Sequence, residues 1–399
     1  MTCRKYIWTT LLAGSLLAGG LTTTPAAARM RNETPVKELT ASDLVLIYAG
    51  TTQSSFWDTE HIDDYVTCTD STGQRQWLFD GFLLIEIRDI GNGSAEVAFD
   101  PGHKDLKGNV LQSATKVDWL RLIRYYFSEG HAIDAIERSV GEAARELGAP
   151  PTKRQIVITI PNPIIYKNPV ARTGGTAYWG TLRGEIADFA NEEDRFLACK
   201  WYIDRVLEEY GKRSYEYVEL AGFYWVTEEN VNTQGLTERI AAYLRERGYG
   251  LCWIPYFHAP GYAEWRSRGF ARAYYQPNYF FSIRIPRSQL ETACREAAAY
   301  GMGMEVEFDD LALAKNGRGD RLRDYLTAFR ESGVWTTSPL AYYQSTQTLR
   351  RLKHSENPED RALYREFCEF VTSRPCRPGN TPERLSREQV RSRKTDKKQ

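Results

Sequence analysis

Three acidic side chains alternate with apolar ones in the segment GMGMEVEFDD (301–310): Glu305, Glu307 and Asp309 flank Val306 and Phe308. Alternation at the period of a strand puts all three acids on one face. On an antiparallel strand that face would simply be wet. In a parallel barrel the face turned away from the helices points inward, where carboxylates are costly unless paired or used. A second acidic signal ends the apolar run GFYWVTEE (222–229), where Glu228 and Glu229 open the loop above a strand. Acids there also suit the first turn of a following helix. Two carboxyls facing each other across a cleft suit glycoside hydrolysis: one protonates the leaving oxygen, and the other attacks the anomeric carbon or activates water. The expected assignment is Glu228 as acid/base and Glu307 as nucleophile. Glu305 is the deeper carboxylate, or the nucleophile itself if the strand ends lower. Asp309 is a candidate contact.

Other strand ends carry groups suited to sugars, whose rings stack on aromatic faces and whose hydroxyls pair with amides and acids. Trp225, Tyr256, His258, Gln276, Asn278 and Tyr279 are the candidate substrate contacts. Each of them alone also reads as packing or as a satisfied polar residue. Competing chemistries lack their residues. The five histidines include no H-E-x-x-H, and no G-x-S-x-G, Gly-rich phosphate loop or C-x-x-C pair occurs. No cofactor and no metal are therefore expected, although clustered acids are the donors calcium uses.

These groups need a frame that brings distant strand ends together. Strand-like runs fall at 44–49, 82–87, 156–160, 218–226, 251–257, 273–281, 302–308 and 335–343, with amphipathic stretches between most of them. Examples are 117–127, 132–147, 194–210, 236–247, 288–300 and 321–331, several closed by glycine. Eight strands alternating with helices predict a (β/α)8 TIM-like barrel, with active groups at its C-terminal face. An open doubly wound sheet would want a Gly-rich turn after its first strand, where Thr51-Thr52-Gln53-Ser54 stands. The connections 88–114 and 161–190 are long, and both rise over the predicted mouth.

Of the 399 residues, 52 are basic and 52 acidic, and 50 are aromatic. The balance hides an asymmetry. From Arg374 onward nine basic residues face three acidic ones, whereas residues 29–373 hold 41 against 49. An acidic body without a basic run gives no reason to expect nucleic acid. Residues 1–28, with Arg4-Lys5, an apolar stretch from Ile7 to Leu21 and Ala26-Ala27-Ala28, read as a signal peptide. The stretch is short for a membrane span, so a periplasmic or secreted protein starting near Arg29 is expected, with no membrane attachment after cleavage. Residues 29–373 are then a single barrel domain, and 374–399 a basic, disordered tail. Six cysteines remain, of which Cys368 and Cys376 are the nearest pair for a disulfide; buried free thiols are the alternative. No oligomeric state is legible.

The runs GFYWVTEE (222–229), WIPYF (253–257), AYYQPNYFF (273–281) and GMGMEVEFDD (301–310) together resemble the domain of unknown function 4855 family, over roughly Leu44 to Gln344. That resemblance implies a glycosidase-like barrel and names no substrate. The fourth- and seventh-strand acids are also placed as in retaining barrel glycosidases, and Glu307-Phe308-Asp309 resembles their nucleophile segment. Those enzymes usually carry Asn before the fourth-strand acid, where this chain has Thr227. The expected function is an exported, retaining glycoside hydrolase acting on a polysaccharide or oligosaccharide. An inverting hydrolase or lyase using the same acids, and a non-catalytic carbohydrate-binding barrel, remain the alternatives.

Overall fold

Eight parallel strands close into a barrel: β1 (Asp43–Tyr48), β2 (Gly81–Ile85), β3 (Arg154–Ile160), β4 (Val218–Trp225), β5 (Gly250–Trp253), β6 (Arg272–Tyr275), β7 (Gly303–Glu307) and β8 (Leu340–Tyr343). β8 returns to pair with β1 through Asp43↔Leu340 and Leu44↔Ala341, leaving no free edge. This is a computed structural model, and it describes residues 36–50, 56–90, 95–105 and 107–380. The signal-peptide reading of residues 1–28 lies outside the described residues, as does most of the predicted tail.

The strands sort their side chains by parity. Val45, Ile47, Phe223, Trp225, Met304 and Val306 belong to the large core shared with the helices. Leu44, Leu46, Leu83, Val157, Tyr224, Cys252 and Ala341 fill the barrel interior. The outer layer contains α1 (Thr59–Val66), α2 (Lys116–Tyr126), α3 (Ala132–Leu147), α4 (Glu192–Gly211), α5 (Gln234–Arg245), α6 (Ser288–Tyr300) and α7 (Gly319–Glu331). Two more, α8 (Thr348–Lys353) and α9 (Pro358–Thr372), follow β8. Local sequence explains their ends. Asn191 and Asn357 cap α4 and α9 by accepting from Glu193 and Glu359 backbone N–H groups. Gly301 takes the left-handed conformation that stops α6. At Gly222 a β-carbon would come within 2.9 Å of the Gly250 carbonyl, so glycine lets β4 and β5 approach where the β3–β4 register shifts.

Several expectations change. Trp335 belongs to a short helical turn, Val334–Thr337, and β8 begins only at Leu340. The fifth connection, 254–271, holds turns where a helix would complete the repeat. The tail does not begin at residue 374. Arg374 is fully buried and Arg377 nearly so, and both pair with Asp43 at the start of β1 (Arg377 Nη1 at 3.0 Å). A short-range charge count cannot see that the partner lies over 300 residues away. Cys376 lies beside Arg374 (Nη2–Sγ 3.2 Å), whereas Cys368 sits against Cys68, and all six described cysteines are free thiols.

Candidate active site at the C-terminal end of the barrel

Parallel strands put all eight C-terminal ends at one face, and a cavity of 720 Å³ opens there. The strands contribute Tyr48, Tyr224, Glu305 and Tyr343 to its wall. Residues just past strand ends add Glu228, Tyr256 and Gln276. The two long connections supply Asp100, His103, Asn162, Tyr166 and Arg172.

Parity explains which acids arrive. On β7, Met304 and Val306 pack against helices, so Glu305 and Glu307 take the inward face. On β4, Tyr224 faces inward; Val226 and Glu228 follow at the same parity, and all three line the cavity. Glu305 is buried at its floor, and its Oε1 has no hydrogen-bond partner among the described residues. Glu228 stands higher and open to the cavity. Its Oε1 accepts from Gln276 Nε2 at 3.1 Å.

Glu307 is buried just above Glu305 but does not line the cavity. It accepts from the Asn278 backbone N–H and the Tyr325 hydroxyl, each at 2.7 Å, and from Asn278 Nδ2 at 3.4 Å. Asn278 Nδ2 also donates to Gln276 Oε1 at 3.1 Å. A relay of amides therefore joins Glu228 to Glu307 through Gln276 and Asn278. Across the cavity Asn162 Nδ2 donates to Asp100 Oδ1 at 3.3 Å and reaches Thr227 Oγ1 at 3.5 Å. His103 Nε2 lies 3.5 Å from Asp100.

Burial and like charge act together on these acids. Desolvation, followed by the charges of Glu307 and Glu228, drives Glu305 well above the usual carboxyl range. Glu307 is raised to about 7, burial outweighing its donors Tyr325 and Asn278. The walls around Glu228 raise it as well, opposed by the Gln276 hydrogen bond and added to by Asp100. Burial and two neighbouring charges thus favour the protonated form of Glu305, while at Glu228 the Gln276 hydrogen bond works the other way and favours the ionised form. Burial keeps Tyr48 and Tyr224 neutral, available as hydroxyl donors and acceptors.

Of the residues expected from sequence, Glu228, Glu305, Tyr256 and Gln276 meet in the cavity, and Glu307 with Asn278 forms the layer behind it. Four others go elsewhere. Trp225 has the opposite parity from Tyr224 and is fully buried against the helices. Tyr279 is buried too, its hydroxyl donating to Asp324 of α7 at 2.6 Å. His258, at a left-handed turn (φ 59°), points outward to Glu296 of α6 at 3.0 Å. Asp309 caps a short 3-10 turn by accepting from the Leu311 N–H at 2.8 Å. The aromatic surplus is mostly core, since Trp57, Trp119, Trp179, Trp225, Trp253 and Trp265 are all fully buried. Among the described residues, tyrosines and the His103 imidazole supply the rings that line the cavity. Asp100 and His103 were not singled out from sequence, because a lone acid and histidine in a long loop have no periodicity to place them.

A family model described as "Domain of unknown function (DUF4855)" matches residues 43–369, which span the whole barrel. The chain belongs to this family. No curated protein matches the DUF4855 chain. Among solved structures it is similar to a "putative alpha-L-fucosidase" from Bacteroides thetaiotaomicron, at 12% identity, covering 89% of this chain and 99% of that one, with a TM-score of 0.42. It is also similar to a tryptophan synthase structure from Pyrococcus furiosus at 13% identity, with 83% and 97% covered and a TM-score of 0.33. The barrel of this DUF4855 protein rests on its own strand pairing, not on these overlaps.

Proposed function

We propose that this protein is a glycoside hydrolase whose working pair is Glu228 and Glu305, with a polysaccharide or oligosaccharide bound along the tyrosine-lined cavity. The observation that carries the reading is that these two carboxyls, one on β7 and one just past the end of β4, line one cavity in unlike surroundings. Glu305, without a hydrogen-bond partner for Oε1 among the described residues and raised chiefly by burial, keeps its proton and serves as the acid that protonates the leaving oxygen. Glu228, open to the cavity and held by Gln276, serves as the carboxylate that attacks the anomeric carbon or orders a water. This exchanges the roles expected from the fourth and seventh strands. Glu307 is a positioning residue: its charge helps keep Glu305 protonated, and Asn278 ties it to Gln276. Retention is the proposed stereochemistry, checked by the product anomer first seen by NMR. We also propose export with cleavage near Arg29, which N-terminal sequencing of recovered protein checks.

The test is product release on a panel of neutral and charged polysaccharides, with Glu228→Gln and Glu305→Gln beside the native protein. Each variant is expected to lose about 10²–10⁴-fold in rate on any glycan that is cleaved. Full activity in either variant removes that residue from the mechanism. A glycan that binds the native protein but is never cleaved overturns hydrolysis in favour of a binding barrel.

A further inference from the structure

Outside the cavity, the connection between β6 and α6 carries an aromatic ring to the surface of the same barrel face. That ring is Phe281, 40% exposed and not part of the cavity wall. A lone apolar side chain on a surface needs no explanation. Two features set this one apart, and the first is that its backbone is fixed. Arg318, at the cap of α7, donates from Nη1 to the Phe281 carbonyl at 2.8 Å. Arg321, in the first turn of α7, donates from Nη2 to the Ser282 and Ile285 carbonyls at 2.8 and 3.2 Å. The Ser282 carbonyl also accepts from the Ile285 N–H at 3.1 Å, closing a turn just after Phe281. The fully buried ring of Phe280 backs Phe281 at 5.4 Å, with the planes at 81°.

The second feature is where the ring leads. Phe281 meets Tyr343 edge to face, with centroids 6.0 Å apart and planes at 81°. Tyr343 meets Tyr48 in the same way, at 6.1 Å and 86°, and the Tyr48 hydroxyl donates to that of Tyr343 at 3.4 Å. Tyr343 and Tyr48 both line the cavity. Tyr343 ends β8 opposite Glu307 of β7, one step along from the Glu305↔Ala341 side of the ladder. The charge of Glu305 acts on the Tyr343 hydroxyl, and that of Glu228 on Tyr48. A row of three rings therefore runs from the two acids out to the surface.

We propose that Phe281 is a further sugar subsite, stacking on one pyranose of a chain whose scissile bond lies at Glu228 and Glu305, so that the substrate is an oligosaccharide or polysaccharide reaching past the cavity and not a small glycoside. The inference rests on the glycosidase reading of the cavity. A pyranose presents an apolar C–H face, and covering an aromatic ring with it removes apolar surface from water. Because the turn is already held by Arg318 and Arg321, little freedom is lost when the ring is covered, and more of that gain appears as affinity.

The experiment compares native protein with Phe281→Ala and Phe281→Trp on oligomers of two to six units from cellulose, xylan, mannan and starch. Cleavage is read as kcat and KM, and binding by calorimetry in the Glu305→Gln background. For a series that is cleaved, the ratio of kcat/KM on the longest oligomer to that on the shortest is expected to fall about tenfold in Phe281→Ala, through KM. Phe281→Trp is expected to restore the native ratio, since it keeps an aromatic face. A general loss of folding would lower both members of the ratio and leave it unchanged. Cleavage by native protein with the same ratio in Phe281→Ala overturns the subsite and leaves the Glu228–Glu305 reading standing. No cleavage and no binding of any series overturns both.

Discussion

Glu307→Gln offers a quantitative check on the buried acids that needs no substrate. In the folded chain Glu307 is raised from an ordinary 4.5 to about 7. Between those values the folded protein holds a proton that the unfolded chain has released. Its contribution to stability is therefore complete below the unfolded value and is lost as pH rises through the folded one. At ~1.4 kcal/mol per pH unit, ionising Glu307 in place costs about 3 kcal/mol above pH 8. Glutamine keeps the shape and the acceptor facing Tyr325 and the Asn278 N–H, but never ionises. Urea unfolding of both proteins from pH 5 to pH 9 is the assay. The variant is expected to be equal or slightly weaker at pH 5, where one amide faces the Nδ2 of Asn278. Its stability relative to the native protein should then climb by about 3 kcal/mol by pH 9. Glu305 adds to the climb, because the charge of Glu307 is one cause of its own raised value. A stability difference that stays flat across this range would refute the reasoning.

Further expectations follow from the same contacts. Gln276→Leu removes the donor that lowers Glu228, so the Glu228 carboxyl should titrate at higher pH by carbon NMR; an unchanged titration would contradict the 3.1 Å contact. Trp225→Ala should cost about 3–5 kcal/mol in urea unfolding through lost core packing, leaving KM for any cleaved glycan unchanged; a large KM effect would return it to the substrate site. Arg374→Met should destabilise by about 3–5 kcal/mol, because Asp43 loses a fully buried partner; a change under ~1 kcal/mol would mean the chain end is not held. Among the described cysteines Cys376 alone is exposed, so it should react first with a thiol reagent in the native protein; fast labelling of Cys68 or Cys368 instead would contradict the packing of α9.

Local sequence pattern was enough for the barrel. Period-two apolar runs separated by amphipathic stretches located all eight strands, because each strand must bury one face against helices and the other in the interior. Glu228, Glu305 and Gln276 were legible for the same reason. Glu228 and Gln276 keep the inward parity of Tyr224 and Tyr274, and Glu305 alternates with the helix-facing Met304 and Val306, while Trp225 breaks the parity of β4, so a strict reading would have sent it to the core. Strand depth was not legible, because alternation fixes the side a residue faces but not its height on the axis. Only the folded barrel decided that Glu305 reaches the cavity while Glu307 is held behind it by Asn278 and Tyr325. His258 was beyond pattern as well, since a left-handed turn reversed its direction. The chain end was misjudged because charge composition is local, whereas the burial of Arg374 depends on Asp43, which folding alone brings beside it. The residue types and their faces belong to the sequence, and the heights, partners and proton affinities belong to the closed barrel, where burial decides which carboxyl keeps its proton.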